Sequence, residues 1–176
     1  MAYTTIDNPG LFFNTVIYAG NGSARSITGV GFQTDWSWFK NRSATNGHSM
    51  FDSVRGATKN MIPNTTAAES TSSNGLTAFA SDGFSVGTDG DVNANGNNIV
   101  SWNWKAGTAF SNDASATGIG TIDSVGSIST TAGFSICSWT GNSGTIAHGL
   151  GVKPDVIWIK SRQTVNNWVV LHKNLT

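Results

Sequence analysis

Charge is scarce in this chain. Asp, Glu, Lys and Arg make up 11% of 176 residues, against roughly a quarter in an ordinary soluble domain. The ten basic and ten acidic side chains cancel, and no block of either sign stands out. The electrostatic footprint of a nucleic-acid binder is therefore missing, and so is an acidic solvating tail. Cys137 is the only cysteine, so no internal disulfide is available and the redox compartment cannot be read. No apolar run is long enough to cross a bilayer, and no charged segment followed by an apolar core opens the chain. Neither membrane insertion nor Sec export is expected. Glu and Lys, the usual supports of helices, are few.

Polarity comes instead from Ser, Thr, Asn and 21 Gly, while seven Trp and nine Phe supply apolar surface to bury. That much aromatic area argues against disorder. Short apolar and β-branched runs alternate with Gly, Asn, Asp and Ser clusters, the pattern of an all-β domain. Strands are expected over residues 13–19, 35–40, 49–54, 76–79, 83–87 and 98–105. Along the second, Trp36, Trp38 and Lys40 share a face; along the last, Val100, Trp102 and Trp104 do. Residues 56–75 read as loop with a possible helical turn at 65–69, and residues 88–97 as a polar loop.

The chain repeats itself. Gly31-Phe-Gln-Thr-Asp-Trp-Ser-Trp-Phe-Lys-Asn-Arg-Ser43 returns 120 residues later as Gly151-Val-Lys-Pro-Asp-Val-Ile-Trp-Ile-Lys-Ser-Arg-Gln163. The similarity runs upstream, Phe13–Asn21 against Phe134–Asn142, and downstream, Asn46–Phe51 against Asn166–Leu171. A unit of this length is a domain and not a solenoid turn. The expected organisation is an N-terminal arm (1–10), a first β-sandwich module (11–107), a Gly/Ser/Thr-rich linker (108–132, with a weak strand at 119–125) and a partial second copy (133–176) read as truncated. Within that copy strands are expected near 134–140, 155–160 and 168–172. Val156, Ile157, Trp158 and Ile159 are apolar on both faces, so their strand should be covered on both sides. The fold class is an antiparallel sandwich or jelly roll, with a concanavalin-like form among the options.

Trp38, Lys40 and Arg42, repeated as Trp158, Lys160 and Arg162, set an aromatic and two cations on one strand face. A cation stacked on Trp contributes about 0.5–1 kcal/mol, which suits a glycan or anionic ligand. The competing explanation is a structural ladder at a sheet edge, where Lys also discourages edge pairing. Asp91-Val-Asn93-Ala-Asn95-Gly96, with Asp89 beside it, matches the first half of a calcium loop. Position twelve is Trp102 instead of Glu, so a hairpin loop competes with calcium, and no other cofactor is expected. Gly83-Phe-Ser85-Val-Gly87 fits the nucleophile-elbow pattern, yet strand alternation runs through the serine where a helix should begin. His48, His148 and His172 have no metal spacing. Nothing here calls for an enzyme.

Tyr18-Ala-Gly-Asn-Gly22, the Gly31–Arg42 stretch, Phe51-Asp-Ser-Val-Arg-Gly56, Ser81-Asp-Gly-Phe84 and Trp102-Asn-Trp-Lys-Ala-Gly107 together resemble long, repeat-containing, tail-fibre-like virion proteins of marine tailed bacteriophages. Members of that family more often carry Pro at the position of Thr34, as Pro154 does in the second copy, and continue past residue 176. The resemblance implies a non-enzymatic virion protein of a tail fibre, tail appendage or capsid decoration, made in the host cytoplasm and serving in host-surface attachment. Its partners would be other virion proteins, a host-surface glycan and further copies of itself as a homo-oligomer. It assigns no catalytic or binding residue. A lectin-like carbohydrate-binding module is the alternative, and a glycan depolymerase, which needs two carboxylates facing one cleft, ranks below it.

Overall fold

The computed structural model describes residues 6–141 and 143–175; residues 1–5 of the expected arm and Asn142 lie outside them. After a 3₁₀ turn at Pro9–Leu11, capped by Asn8, the chain forms β1 (Phe13–Ala19), β2 (Arg25–Thr28), β3 (Trp36–Asn41), β4 (His48–Asp52), β5 (Lys59–Asn60) and β6 (Ser70–Thr71). Next come β7 (Leu76–Ala80), β8 (Gly83–Val86), the single-turn helix α1 (Gly90–Asn93) and β9 (Asn98–Trp104). The rest is β10 (Thr108–Asn112), α2 (Ala114–Thr117), β11 (Ser124–Ser129), β12 (Phe134–Trp139), β13 (Val156–Ile159) and β14 (Val169–His172).

The architecture is all-β and antiparallel, as the alternating pattern requires. A four-stranded sheet in the order β1-β9-β3-β4 packs on a three-stranded sheet, β2-β8-β7. Phe39, Phe51 and Ile99 of the larger sheet meet Ile27, Leu76, Phe84 and Val86 of the smaller one in a fully enclosed core. Phe39 lies edge-on to both Phe84, at 5.0 Å, and Phe51, at 5.9 Å. Removing such rings from water is the main stabilising term of the module.

The larger sheet is inverted relative to simple expectation. Its core side carries Ser37, Ser101 and Asn103, all buried, whereas the tryptophans point away from the core. The buried polar groups satisfy one another, as they must in a dry interior. Ser37 Oγ bonds Asn103 Oδ1 at 3.0 Å, and Asn103 Nδ2 bonds Ser101 Oγ at 3.0 Å and the Asn14 carbonyl at 3.2 Å.

Residues 108–132, expected as linker, contain β10, α2 and β11, and β10-β11-β12 form a third sheet. Gly, Ser, Ala and Thr hide this strand pattern because they carry so little apolar contrast. The turn at 65–69 is not helical, and α1 sits inside the expected 88–97 loop. The hairpin β13-β14 repeats β3-β4 in register: Trp36 opposes Asp52 as Val156 opposes His172, and Trp38 opposes Met50 as Trp158 opposes Val170. Its flanking bond repeats too. Ser53 N–H donates to the Asp35 carbonyl, and Lys173 N–H to that of Asp155, each at 2.8 Å.

Candidate functional site

The outward face of β1-β9-β3-β4 is an aromatic floor. The register places Trp36 opposite Trp104, Trp38 opposite Trp102 and Phe13 opposite Trp104. Trp36 stacks on Trp104 with ring centres 4.4 Å apart, Phe13 tilts against Trp104 at 4.9 Å, and Trp38 stands edge-on to Trp102 at 6.0 Å. All four tryptophans are half-buried. Cross-strand aromatic pairs of this kind each contribute about 0.5–1.5 kcal/mol beyond burial.

The second copy sits on this floor. Trp158 meets both Trp36 and Trp38 edge-on, with ring centres 5.6 and 5.8 Å away, and Phe134 stacks on Trp36 at 6.0 Å. Beside the rings, Arg162 grips Glu69 with two parallel bonds, Nε to Oε2 at 2.9 Å and Nη2 to Oε1 at 3.0 Å. Glu69 also accepts from the nearly buried Arg55 at 3.0 Å, and Arg55 pairs with Asp52. Burial alone would raise the Glu69 pKa, but the hydrogen bonds from Arg162 and Arg55 outweigh it and hold the carboxyl below its ordinary range. The backbone joins in: Glu69 N–H donates to the Arg162 carbonyl at 2.9 Å, and Asn166 N–H to that of Thr66 at 3.1 Å.

The six residues of the repeated aromatic-cation pattern therefore divide. Trp38 and Trp158 meet each other. Lys40 turns back to cap its hairpin loop, reaching the Ala44 carbonyl at 3.3 Å and that of Asn46 at 2.6 Å. Lys160 repeats this on Ser161 at 3.0 Å and Thr164 at 3.4 Å. Arg42 is exposed, while Arg162 makes the bridge to Glu69. Neither lysine stacks on a tryptophan; the cation over a ring among the described residues is Arg25, 5.3 Å from the centre of Tyr18.

The four candidate calcium ligands do not converge. Asp89 caps α1 through the Asp91 N–H at 2.9 Å and accepts from Ser72 Oγ at 2.6 Å. Asp91 takes Asn46 Nδ2 at 2.9 Å, and Asn93 is buried with its amide on the Gly87 and Ser23 carbonyls, each at 2.7 Å. Asn95 is exposed. Among the described residues no three His, Cys, Asp or Glu side chains group as metal ligands. Ser85 lies within β8, its hydroxyl 3.2 Å from that of Ser26, as strand alternation implied.

Two features escaped the sequence. Asp35, 5% exposed, takes Ser53 Oγ at 2.7 Å, the Ala106 N–H at 2.8 Å and Ser127 Oγ at 3.3 Å, so it ties the first module to β11. Its repetition as Asp155 was the available signal. The second is an open groove of about 630 Å³ lined by Asn112, Asp113, Asp123, Ser138 and Trp139 among others. Both carboxylates are occupied there: Asp113 caps α2 through Ser115 and Ala116, and Asp123 accepts the Ala114 N–H at 2.9 Å. The Ser115 hydroxyl and the Ala116 N–H hold the Asp113 pKa down, the reverse of what a general acid needs.

A family model described as a domain of unknown function (DUF7483) matches residues 8–176. No curated protein and no solved structure matches the chain.

Proposed function

The chain belongs to the DUF7483 family, whose description assigns no activity; we propose that it is a non-enzymatic structural protein of a bacteriophage virion. In this reading tandem β modules of a tail fibre, tail appendage or capsid decoration pack face to face through their tryptophans. The observation that carries it is Trp158 of the second copy seated against Trp36 and Trp38 of the first. The aromatic-cation pattern then repeats because each part has a structural role, the ring against the neighbouring copy and the lysine on its own loop. Low charge and a Ser/Thr/Asn-rich surface suit an assembly component, and the virion assignment rests on the sequence resemblance. Repetition along such a protein also raises avidity for weak surface ligands.

Mass spectrometry and immunogold labelling of purified virions test the reading. The expected result is stoichiometric presence in the particle; a chain found only in the free lysate would overturn it.

A second reading, glycan binding, is favoured by one observation, the groove that sets Trp139 beside Asn112 and Asp113. Sugar rings stack on an aromatic while polar groups hold their hydroxyls. A glycan array probed with the whole chain and with Trp139→Ala separates the readings, since binding lost in the variant would make the groove a receptor site.

A further inference from the structure

The two copies differ in one place that the repeat makes legible. In the first copy β3 is paired on both edges, with β4 on one side and β9 on the other. In the second copy β13 has β14 alone, and among the described residues no strand takes the position of β9. In the first copy Arg42 N–H reaches the Asn98 carbonyl at 2.8 Å. Strand alternation then turns the backbone groups of residues 36, 38 and 40 toward β9 as well. Their counterparts Val156, Trp158 and Lys160 present the open edge.

The face beside that edge is unfinished too. Phe32 and Phe51 are core residues of the first copy, 4% and 0% exposed, whereas their counterparts Val152 and Leu171 are 68% and 52% exposed. Val156, Ile157 and Trp158 are themselves 48%, 38% and 43% exposed. An apolar strand with an unpaired edge is a template for strand addition.

From this we infer that β13 is a docking edge for an antiparallel donor strand on another polypeptide segment, and that the strand follows the pattern of β9. The first copy supplies the specification. Where Val100, Trp102 and Trp104 lie opposite Lys40, Trp38 and Trp36, the donor sets bulky apolar residues at alternate positions opposite Lys160, Trp158 and Val156. Between them it carries small or polar residues, as Ser101 and Asn103 do. Backbone hydrogen bonds give the attachment, and the alternation fixes the register.

The test adds a synthetic peptide with the sequence of residues 98–105 to the whole chain and follows amide hydrogen exchange residue by residue. The expected result is that exchange at Val156, Trp158 and Lys160 slows by about tenfold or more, while a permuted peptide with adjacent tryptophans has no effect. Val156→Pro removes one open-edge N–H that β14 does not use, on the side of the strand where proline is tolerated. This variant should keep the thermal midpoint and lose the protection. Unchanged exchange with saturating peptide would overturn the inference, as would equal protection in Val156→Pro. Protection of the same amides in the chain alone, rising with its concentration, would replace the donor strand by a second copy pairing β13 to β13.

Discussion

Trp38 shows at the level of one side chain how the interface is held. Its indole N–H donates to His48 Nδ1 at 2.8 Å, which requires the imidazole to be neutral at that nitrogen. Burial, and then the nearby Lys40, lower the His48 pKa below its ordinary 6.5. The unfolded chain therefore takes up this proton first. Its contribution to stability should be complete above about pH 6.5 and should decline as pH falls from there to the folded value. An NMR titration of His48 reads the lowered pKa directly. Urea unfolding between about pH 5 and 7 should show a slope that is clearly smaller in His48→Asn. Lys40 and Lys160 show what the sequence could and could not say at this scale. Their repetition was plain from the spacing, but whether a lysine stacks on a ring or turns to a loop carbonyl depends on where the backbone reverses. Glu69 lay in a Ser/Thr-rich stretch with no repeat partner to mark it, and its role depends on Arg162, 93 residues away.

At the level of elements, the strongly patterned strands were legible because Trp, Phe and β-branched residues alternate clearly with polar ones. Which face of β9 met the core was not, since the tryptophans face the second copy and asparagine and serine face inward. The third sheet was hidden for a different reason. Its strands are built from small residues, and their size is a packing requirement. A Cβ on Gly126 would stand 2.4 Å from Phe110 Cε1 and 2.3 Å from the Ile136 carbonyl oxygen, closer than real carbons approach. Gly126→Ala should therefore destabilise the chain by about 1–3 kcal/mol, measured by denaturant unfolding. The change should disturb β10-β11-β12 more than the first module when followed by hydrogen exchange. The expectation that β13 is covered on both faces is overturned: Val156 and Trp158 on one face and Ile157 on the other are 48%, 43% and 38% exposed, so both faces reach solvent even where Trp158 touches the floor. The apolar pattern reported the need for a cover; it carried no information about what provides it.

At the level of the whole molecule, the internal repeat was the most informative property of the sequence, and the structure gives it a physical meaning. The same hairpin appears twice, in the same register and with the same lysine-capped loop. The two versions meet through their Trp-bearing faces while keeping their core faces apart. Sequence comparison of the copies could show that they share a fold unit; how they pack depends on side chains 120 residues apart, which periodicity does not encode. The claim that the copies form one packed unit through the aromatic floor is tested most directly by a double-mutant cycle. Trp36→Ala, Trp158→Ala and the double variant would be unfolded in urea beside the parent chain. The packing predicts a coupling energy of about 0.5–1.5 kcal/mol, with the double variant less destabilised than the sum of the two single ones. Additivity within about 0.3 kcal/mol would mean that the rings do not meet in solution, and would contradict the account.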